Sequence, residues 1–213
     1  MTTMTASTHT ARFWDRIAER YARKPVPNVE DYEIKLQKTR DVLQPTDRVL
    51  EIGCGTGSTA MRHANDAALI HSVDVSPEMV RIATEKARAA SIENVTFEVS
   101  DIASLPVSDD RYDVIMAHSV LHLLPDLPTV FRQLRHLLKP GGLLIANSQC
   151  IGDTAPWFGF IAPIGRALRL LPPIAIFKED DYRAWMTDAG FDVQEWWQPR
   201  AKASIYSIAR SVE

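Results

Sequence analysis

Three glycines fall within five residues of the stretch VLEIGCGTGS, directly after four residues that are typical of a buried strand. Gly53, Gly55 and Gly57 permit positive φ angles and lack the side chains that would keep a ligand away from the backbone. The helix that we expect to begin near Ser58 would direct unpaired backbone N–H groups at the same place. The spacing therefore predicts a ligand-binding turn, because a merely tight turn would rarely need three glycines.

Two carboxylates indicate which ligand such a turn would receive. Glu51, two residues before Gly53, suits a ligand that carries an ammonium group better than one that carries phosphates. Asp74 ends the second predicted strand, where an acidic side chain can accept hydrogen bonds from both ribose hydroxyls. The G-x-G-x-x-G pattern of dinucleotide-binding proteins would need glycine where Ser58 stands. The residues therefore favour a partly cationic nucleoside over a dinucleotide.

A third acidic residue and several apolar ones could complete a nucleoside site. Asp101 follows the third predicted strand and is placed to accept a hydrogen bond from an exocyclic adenine amine. Val75, Met79 and Ile102 could sandwich the adenine ring. Ordinary core packing explains these apolar side chains equally well, so both interpretations stay open.

Two histidines, His118 and His122, stand at the end of the fourth predicted strand. Their spacing of four residues would place them on one face if a helical turn begins there. We interpret them as candidate catalytic residues that bind or deprotonate an acceptor, the alternative being a structural role. A two-histidine metal site is the weaker hypothesis, because no third ligand of suitable spacing is evident.

Apolar runs alternate with helical patterns along the chain, which predicts a parallel sheet with helices on both faces. The last two apolar segments alternate apolar and polar residues, which favours an antiparallel pair at the sheet edge. The predicted strands are residues 48–53, 68–75, 95–100, 112–119 and 142–148, and the edge pair is DVQEWWQ and ASIYSIAR. The helix after the second strand should begin with Ser76 as its cap and Pro77 as its first residue.

Length and composition limit the alternatives. A chain of 213 residues with 46% hydrophobic residues predicts a single domain over 1–213. The net charge of -3, without a basic block, argues against nucleic acid as a partner. Two cysteines without metal-ligand spacing and the lack of a signal-peptide pattern predict a reduced, cytoplasmic location.

The motifs together resemble a known family. VLEIGCGTG, VDVSPEMV, SDIASLPVSDDRYDVIMAHSVLHLL and LKPGG are similar, in order and spacing, to the class I S-adenosylmethionine-dependent methyltransferases. The branch that the chain resembles includes the ubiquinone and menaquinone biosynthesis type, and the resemblance covers about residues 11–149. It implies a Rossmann-like α/β fold, whose doubly wound sheet has seven mostly parallel strands and an antiparallel last strand.

The resemblance implies that S-adenosylmethionine is the cofactor and that the glycine-rich turn surrounds its methionine part. It assigns the ribose to Asp74 and the adenine to Asp101 and Ile102. The cofactor-binding residues that we expect are Tyr21, Glu51, Gly53, Cys54, Gly55, Gly57, Asp74, Val75, Met79, Asp101, Ile102 and His118.

Two appendages complete the predicted domain. Residues 11–40 should form a helical lid, in which Phe13, Ile17 and Tyr21 make one apolar stripe and the helix ends before Pro25. In related methyltransferases such a helix covers the cofactor, with a tyrosine near its methionine end. Residues 150–178 form an apolar acceptor-side insertion, which we interpret first as a lid over an apolar acceptor and second as a membrane contact.

We therefore expect an enzyme that transfers a methyl group to a small, apolar or aromatic acceptor. Alignment of the nucleophile, the methyl group and the sulfur would supply most of the rate. The alternatives are a non-catalytic module that binds S-adenosylmethionine or its product, and a membrane-interface methyltransferase of a lipid or quinone. The sequence leaves the acceptor atom and the oligomeric state open.

Overall fold

Short runs rich in Val, Ile and Leu form seven strands in the computed structural model, which describes residues 3–107, 111–159, 161–162, 171–172 and 174–212. The strands form one mixed sheet in the order β3-β2-β1-β4-β5-β7-β6. The strand β7 runs antiparallel to both of its neighbours, β5 and β6, and this mixed sheet confirms the predicted fold class. The strands are β1 Arg48–Ile52, β2 Leu69–Asp74, β3 Val95–Val99, β4 Tyr112–His118, β5 Leu138–Ser148, β6 Phe191–Trp197 and β7 Ile205–Ser211.

Helices occupy the segments between most of these strands. The α-helices are α1 Thr3–Ala22, α2 Val29–Arg40, α3 Ser58–Arg62, α4 Pro77–Ala89, α5 Leu127–Leu137, α6 Ile151–Thr154 and α7 Glu179–Asp188. Single 3-10 turns lie at Ala64–Asp66, Ile102–Ser104 and Leu121–Leu123. Within the described ranges, no helix combines the length and the apolar character that crossing a membrane requires.

The chain divides into two compact units, residues 1–105 and 106–213, and the single domain over 1–213 stays a prediction. In the first unit, β1 and β3 flank β2 in parallel register. The helix α4 begins as the sequence predicts, because the Ser76 side chain accepts a hydrogen bond from the Met79 N–H and Pro77 starts the helix.

The predicted lid over 11–40 consists of two helices, α1 and α2. The helix α1 begins earlier than expected, at Thr3, and it ends at Ala22. Its face toward α4 differs from the predicted stripe, since Trp14, Ala18 and Ala22 pack against the buried side chains of α4. This face is turned by one residue from Phe13, Ile17 and Tyr21, because the partner surface decides which stripe of a broadly apolar helix is covered.

In the second unit, β4 and β5 pair in parallel and β7 lies between β5 and β6. The helix α5 ends two residues earlier than its pattern suggests, and β5 begins directly at Leu138. Opposite Tyr112 stands Leu138 and opposite Val114 stands Leu143, so residues 139–142 form an irregularity inside the strand. We expected KPGG to precede the strand. Gly141, with φ of 74°, allows the chain to bulge there instead.

Two hydrogen bonds join the beginning of the insertion over 150–178 to residues at its end. The Gly152 N–H donates to the Phe177 carbonyl at 2.8 Å. The Asp153 carboxylate accepts from the Glu179 N–H at 2.7 Å, at the start of α7. Trp157 lies 61% exposed, whereas Phe177 is buried. Residues 160, 163–170 and 173 of this predicted insertion lie outside the described residues.

Candidate functional site

The turn after β1 has the geometry that its glycines predict. Gly53, Gly55 and Gly57 adopt φ angles of 63°, 53° and 73°, in the left-handed region that favours glycine. The turn is held to β2, because the Cys54 N–H donates to the Val73 carbonyl at 3.1 Å. The sequence of β1 therefore delivers the chain into a turn whose path is fixed by the neighbouring strand.

Gly57 has a packing reason as well as a conformational one. A Cβ atom at this position would lie 2.7 Å from the Phe97 ring and 2.9 Å from the Ala83 Cβ. At Gly55 the nearest atom to such a Cβ is the Tyr21 Cε1, at an ordinary 3.8 Å. We expected all three glycines to serve a ligand. The structure shows that Gly57 lets the turn approach β3 and α4, which sequence spacing alone does not reveal.

Asp74 lies at the end of β2 with both carboxylate oxygens engaged. Oδ1 accepts from the Ser76 N–H and Oδ2 accepts from the Gly55 N–H, each at 2.9 Å. Burial raises the pKa of Asp74, and these two hydrogen bonds act against that rise. Each carboxylate oxygen can accept a second hydrogen bond. The side chain is therefore fixed in orientation and still able to accept from a ligand hydroxyl.

Glu51 is a buried carboxyl group in β1, with 2% of its surface exposed. The Ser72 hydroxyl donates to it at 3.3 Å. Burial raises the pKa of Glu51 to about 8, and the Asp74 carboxylate adds to the rise. A ligand that carries a positive charge would favour ionised Glu51.

Tyrosines from both N-terminal helices lie at this turn. Tyr21 is half exposed, its ring edge faces Gly55, and it meets Trp14 edge to face with ring centroids 6.2 Å apart. Burial and the Asp74 charge raise the pKa of Tyr21. Tyr32 of α2, whose hydroxyl lies 3.4 Å from the Thr59 Oγ1, was not singled out by the sequence. Only its position inside the predicted lid pointed to it.

The residues that we expected around an adenine ring have different surroundings. Met79 is buried in a cluster with Ala18 and Ile82, so core packing accounts for it. Ile102 is also buried, and Val75 is half-buried. A ring contact for these three residues stays a prediction.

Two further residues of the predicted cofactor site make local contacts. Asp101 caps the 3-10 turn after β3, since its Oδ1 accepts from the Ala103 N–H at 3.1 Å. The Cys54 thiol donates toward the Gly55 carbonyl at 3.7 Å. Burial, with the nearby Glu51 and Asp74 charges, raises the pKa of Cys54 well above its ordinary value, so the thiol stays protonated.

The two histidines belong to the second unit. His118 is the last residue of β4, opposite Asn147 of β5, and its ring stacks on Tyr206 with centroids 6.5 Å apart. His122 lies in a separate 3-10 turn, and Ser119 between them has a φ of 56°. The expected helical turn carrying both residues is therefore wrong, because the chain leaves the strand through a left-handed residue.

His122 is held in a largely buried position. Its carbonyl accepts from the Ala175 N–H of the insertion at 2.8 Å. Burial lowers the pKa of His122 to about 4, and its Nδ1 has no hydrogen-bond partner in the described part of the chain. The imidazole is therefore neutral at neutral pH and offers a polar ring atom to a ligand.

A family model described as a methyltransferase domain matches residues 43–193. The chain belongs to this family. It is a class I S-adenosylmethionine-dependent methyltransferase domain, as the resemblance of its motifs indicates, and S-adenosylmethionine is the cofactor of that class.

Named relatives and solved structures agree with this assignment. The 27-O-demethylrifamycin SV methyltransferase of Amycolatopsis mediterranei (strain S699) is 31% identical over 157 residues, which are 70% of this chain and 56% of that protein. This methyltransferase domain thus spans about half the length of that relative. The ubiquinone biosynthesis O-methyltransferase of Xanthomonas euvesicatoria pv. vesicatoria (strain 85-10) is 26% identical over 208 residues, 91% of this chain and 84% of that protein.

One solved structure is the N-methyltransferase NodS from Bradyrhizobium japonicum WM9 in complex with S-adenosyl-L-homocysteine. It matches with a TM-score of 0.73 at 18% identity, covering 96% of this chain and 100% of that one. At this identity the likeness shows the fold alone.

The residues at the turn fit the cofactor chemically. S-adenosylmethionine carries an ammonium and a sulfonium group, and the carboxyl groups of Glu51 and Asp74 lie at the turn. Its ribose needs an acceptor such as Asp74, whose orientation is already fixed. The described residues contain no group of three or more His, Cys, Asp or Glu side chains arranged to hold a metal ion.

Proposed function

We propose that this chain transfers a methyl group from S-adenosylmethionine to a small, apolar or aromatic acceptor. The observation that carries the proposal is the left-handed turn at Gly53–Gly57 beside the buried Glu51 and the half-buried Asp74, whose carboxylate the Gly55 and Ser76 N–H groups already orient. Bound there, the cofactor supplies an electrophilic methyl group on a sulfonium sulfur. The protein has to bind, orient and exclude water, because alignment contributes most of the rate.

Each residue of the turn has one part in this binding. Glu51, once ionised, neutralises the ammonium group, and Gly55 lets the methionine part approach the backbone. Asp74 accepts from the ribose hydroxyls with the oxygens that Gly55 and Ser76 already orient. Tyr21 covers the turn from α1. Asp101 and Ile102 receive the adenine, as the resemblance to related methyltransferases implies.

The acceptor-side residues lie in the second unit. A neutral His122 would accept a hydrogen bond from an acceptor hydroxyl through its buried Nδ1. With a pKa of about 4 it is a weak base, so its part is to orient the acceptor rather than to deprotonate it fully. His118, which we also expect near the cofactor, lies at the carboxyl end of β4.

The chemistry of the acceptor is proposed from two features. Trp157 and Ile161 expose apolar surface in the insertion, which suits an apolar molecule. The 27-O-demethylrifamycin SV and ubiquinone relatives carry names that specify methylation on oxygen. Apolar or aromatic molecules that carry a hydroxyl group are therefore the first acceptors to test.

A binding and transfer experiment tests the function. Isothermal titration should show binding of S-adenosylhomocysteine and none of NAD, and a panel of phenols and apolar alcohols with methyl-labelled cofactor should yield labelled product. Asp74→Ala should weaken binding by about tenfold or more, whereas Glu30→Gln, which changes an exposed carboxylate of α2, should leave binding unchanged. Binding without any methyl transfer would favour the non-catalytic module, and binding of NAD alone would refute the proposal.

The surroundings of the enzyme are also proposed. Cys54 and Cys150 are free thiols, which suits a reduced, cytoplasmic location. We expect no nucleic acid partner, and we favour a free acceptor over a lipid at a membrane surface. A liposome sedimentation assay that captures the protein in the absence of acceptor would overturn the last statement.

A further inference from the structure

Asp15 links α1 to the first residues of α4. The Ser76 hydroxyl donates to the Asp15 Oδ1 at 2.6 Å, and the Glu78 N–H donates to the same oxygen at 3.2 Å. A short hydrogen bond to a carboxylate is about twice as strong as one between neutral groups. The negative charge also lies at the helix N-terminus, where the helix dipole favours it.

Ser76 passes this contact on to the candidate ribose acceptor. Its hydroxyl also accepts from the Met79 N–H at 3.2 Å, and its own N–H donates to the Asp74 Oδ1 at 2.9 Å. Asp15, Ser76 and Asp74 therefore form one continuous chain of hydrogen bonds. The Asp74 carboxylate accepts from the backbone N–H of Ser76, and Asp15 holds the same residue through its hydroxyl, so the contact passes through the backbone position of Ser76.

The same carboxylate also fixes the end of α1 that carries Tyr21. Asp15 lies one residue from Trp14 and three from Ala18, both of which pack against α4. Less than two turns later, the Tyr21 ring lies over Gly55. A second polar contact between the two helices, the Glu19 and Arg81 ion pair at 2.8 Å, is exposed on both sides. Exposed pairs of this kind contribute little, so Asp15 is the polar contact that matters.

We propose that Asp15 is a positioning residue for cofactor binding, which joins α1 to the start of α4 and, through Ser76, holds Asp74 in its binding geometry. It acts through Ser76 and not by touching the cofactor. The inference rests on the proposed cofactor site, since Asp74 and Tyr21 are its members. It predicts that removing the Asp15 contact weakens cofactor binding through Asp74, while the protein still folds.

Three variants test the Asp15 contact. Asp15→Ala removes both hydrogen bonds, Asp15→Asn keeps an acceptor oxygen without the charge, and Glu19→Gln is the matched control on the same helix. Titration with S-adenosylhomocysteine should show about tenfold weaker binding for Asp15→Ala, because a hydrogen bond to a charged group is lost. Asp15→Asn should recover most of that loss, and Glu19→Gln should stay within about twofold of the wild type.

A double-mutant cycle separates positioning from plain stability. If Asp15 acts through Asp74, Asp15→Ala should weaken binding by less than about twofold in the Asp74→Ala background, since coupled residues are not additive. Additive losses would show that Asp15 only stabilises the helix pair, and they would overturn the proposal. Unchanged binding in Asp15→Ala alone would overturn it too.

Hydrogen exchange measured without ligand tests the Asp15 contact independently of cofactor binding. Asp15→Ala and, to a lesser degree, Asp15→Asn should speed exchange of the Ser76 and Gly55 amides, whereas Glu19→Gln should not. If the wild type does not bind S-adenosylhomocysteine, the proposed function fails, and unchanged exchange at these amides would separately refute the proposed role of Asp15. If Asp15→Ala does not fold, Asp15→Asn must still show a larger loss of S-adenosylhomocysteine affinity and a larger increase in amide exchange than Glu19→Gln.

Discussion

At the glycine-rich turn of the first unit, the carboxyl groups already accept hydrogen bonds from the protein, whereas the insertion of the second unit exposes the apolar side chains of Trp157 and Ile161. Gly55 and Ser76 orient Asp74, and Glu51 is buried beneath the turn. Trp157 and Ile161 are exposed to solvent, and the Gly152 N–H donates to the Phe177 carbonyl near the two ends of the insertion. The turn is therefore preorganised for one ligand. The exposed apolar side chains of the insertion become buried only when a ligand or a partner covers them.

The largest effect that we expect concerns Glu51. The folded protein retains a proton up to a pKa of about 8 that the unfolded chain releases near 4.5, so stability without cofactor should fall as pH rises between these values. The loss should be on the order of 5 kcal/mol, by linkage of the two pKa values. Below about pH 6.5 the buried His122, whose pKa of about 4 lies below its ordinary value, changes stability in the opposite direction, so the effect of Glu51 is isolated between pH 6.5 and 8. Glu51→Gln should remove the fall in stability there, and denaturant unfolding from pH 6.5 to 9 measures it.

The control for this prediction is Glu30→Gln, which changes an exposed carboxylate of α2 and should leave the wild-type slope intact. Cofactor affinity should move the opposite way, rising with pH over the same range, because the ligand ammonium group needs ionised Glu51. A wild-type stability that does not fall between pH 6.5 and 8 would mean that Glu51 is not buried as a neutral acid.

Local patterns in the sequence predicted the elements but not the contacts that join them. Alternation and apolar runs indicated the strands, and Ser76 with Pro77 indicated the start of α4, because these signals act over a few residues. No local pattern in the sequence pointed to Asp15 or Tyr32, because their hydrogen bonds form only when α1 and α2 pack against distant parts of the chain. The bulge at 139–142 was missed for a similar reason, because strand register is set by the neighbour.

The glycines illustrate the same limit within the candidate site. Their clustering predicted the turn and its positive φ angles, but it gave all three the same reason. Only the structure separates Gly57, which faces Phe97 and Ala83, from Gly55, which faces Tyr21. The histidine pair shows the opposite error, because a spacing of four residues carries meaning only if the chain is helical there.

The second prediction uses this difference between the glycines. Gly57→Ala places a Cβ within 2.9 Å of two side chains at a φ of 73°, so it should destabilise the fold by about 2–4 kcal/mol. Gly55→Ala meets only an ordinary contact and should cost about 1 kcal/mol for its backbone angle alone. Thermal unfolding of the two variants compares them, and equal losses would contradict the packing explanation for Gly57.

The third prediction concerns the ribose acceptor. Asp74→Ala removes a carboxylate that makes charge-assisted hydrogen bonds, so S-adenosylhomocysteine should bind at least about tenfold more weakly. Because the same change also frees the Gly55 and Ser76 N–H groups, Asp74→Asn is the matched variant, and it should lose less. Unchanged affinity in both variants, measured by titration, would show that the nucleoside binds elsewhere.

The smallest effects should come from the insertion, where Trp157 is 61% exposed. Trp157→Ala should change the free energy of unfolding by less than about 0.5 kcal/mol, because an exposed side chain has little packing to lose. It should leave S-adenosylhomocysteine binding unchanged and raise the KM of an apolar acceptor several-fold, since the indole would be buried only by the acceptor. Steady-state kinetics with a product from the acceptor panel measures this split. Trp157→Phe, which keeps apolar area, is the control and should restore most of the KM. The Trp157 fluorescence is the difference between the emission of the wild type and that of Trp157→Phe. If KM does not change but this emission shifts to the blue when liposomes are added, the exposed surface binds a membrane and the lid interpretation is wrong.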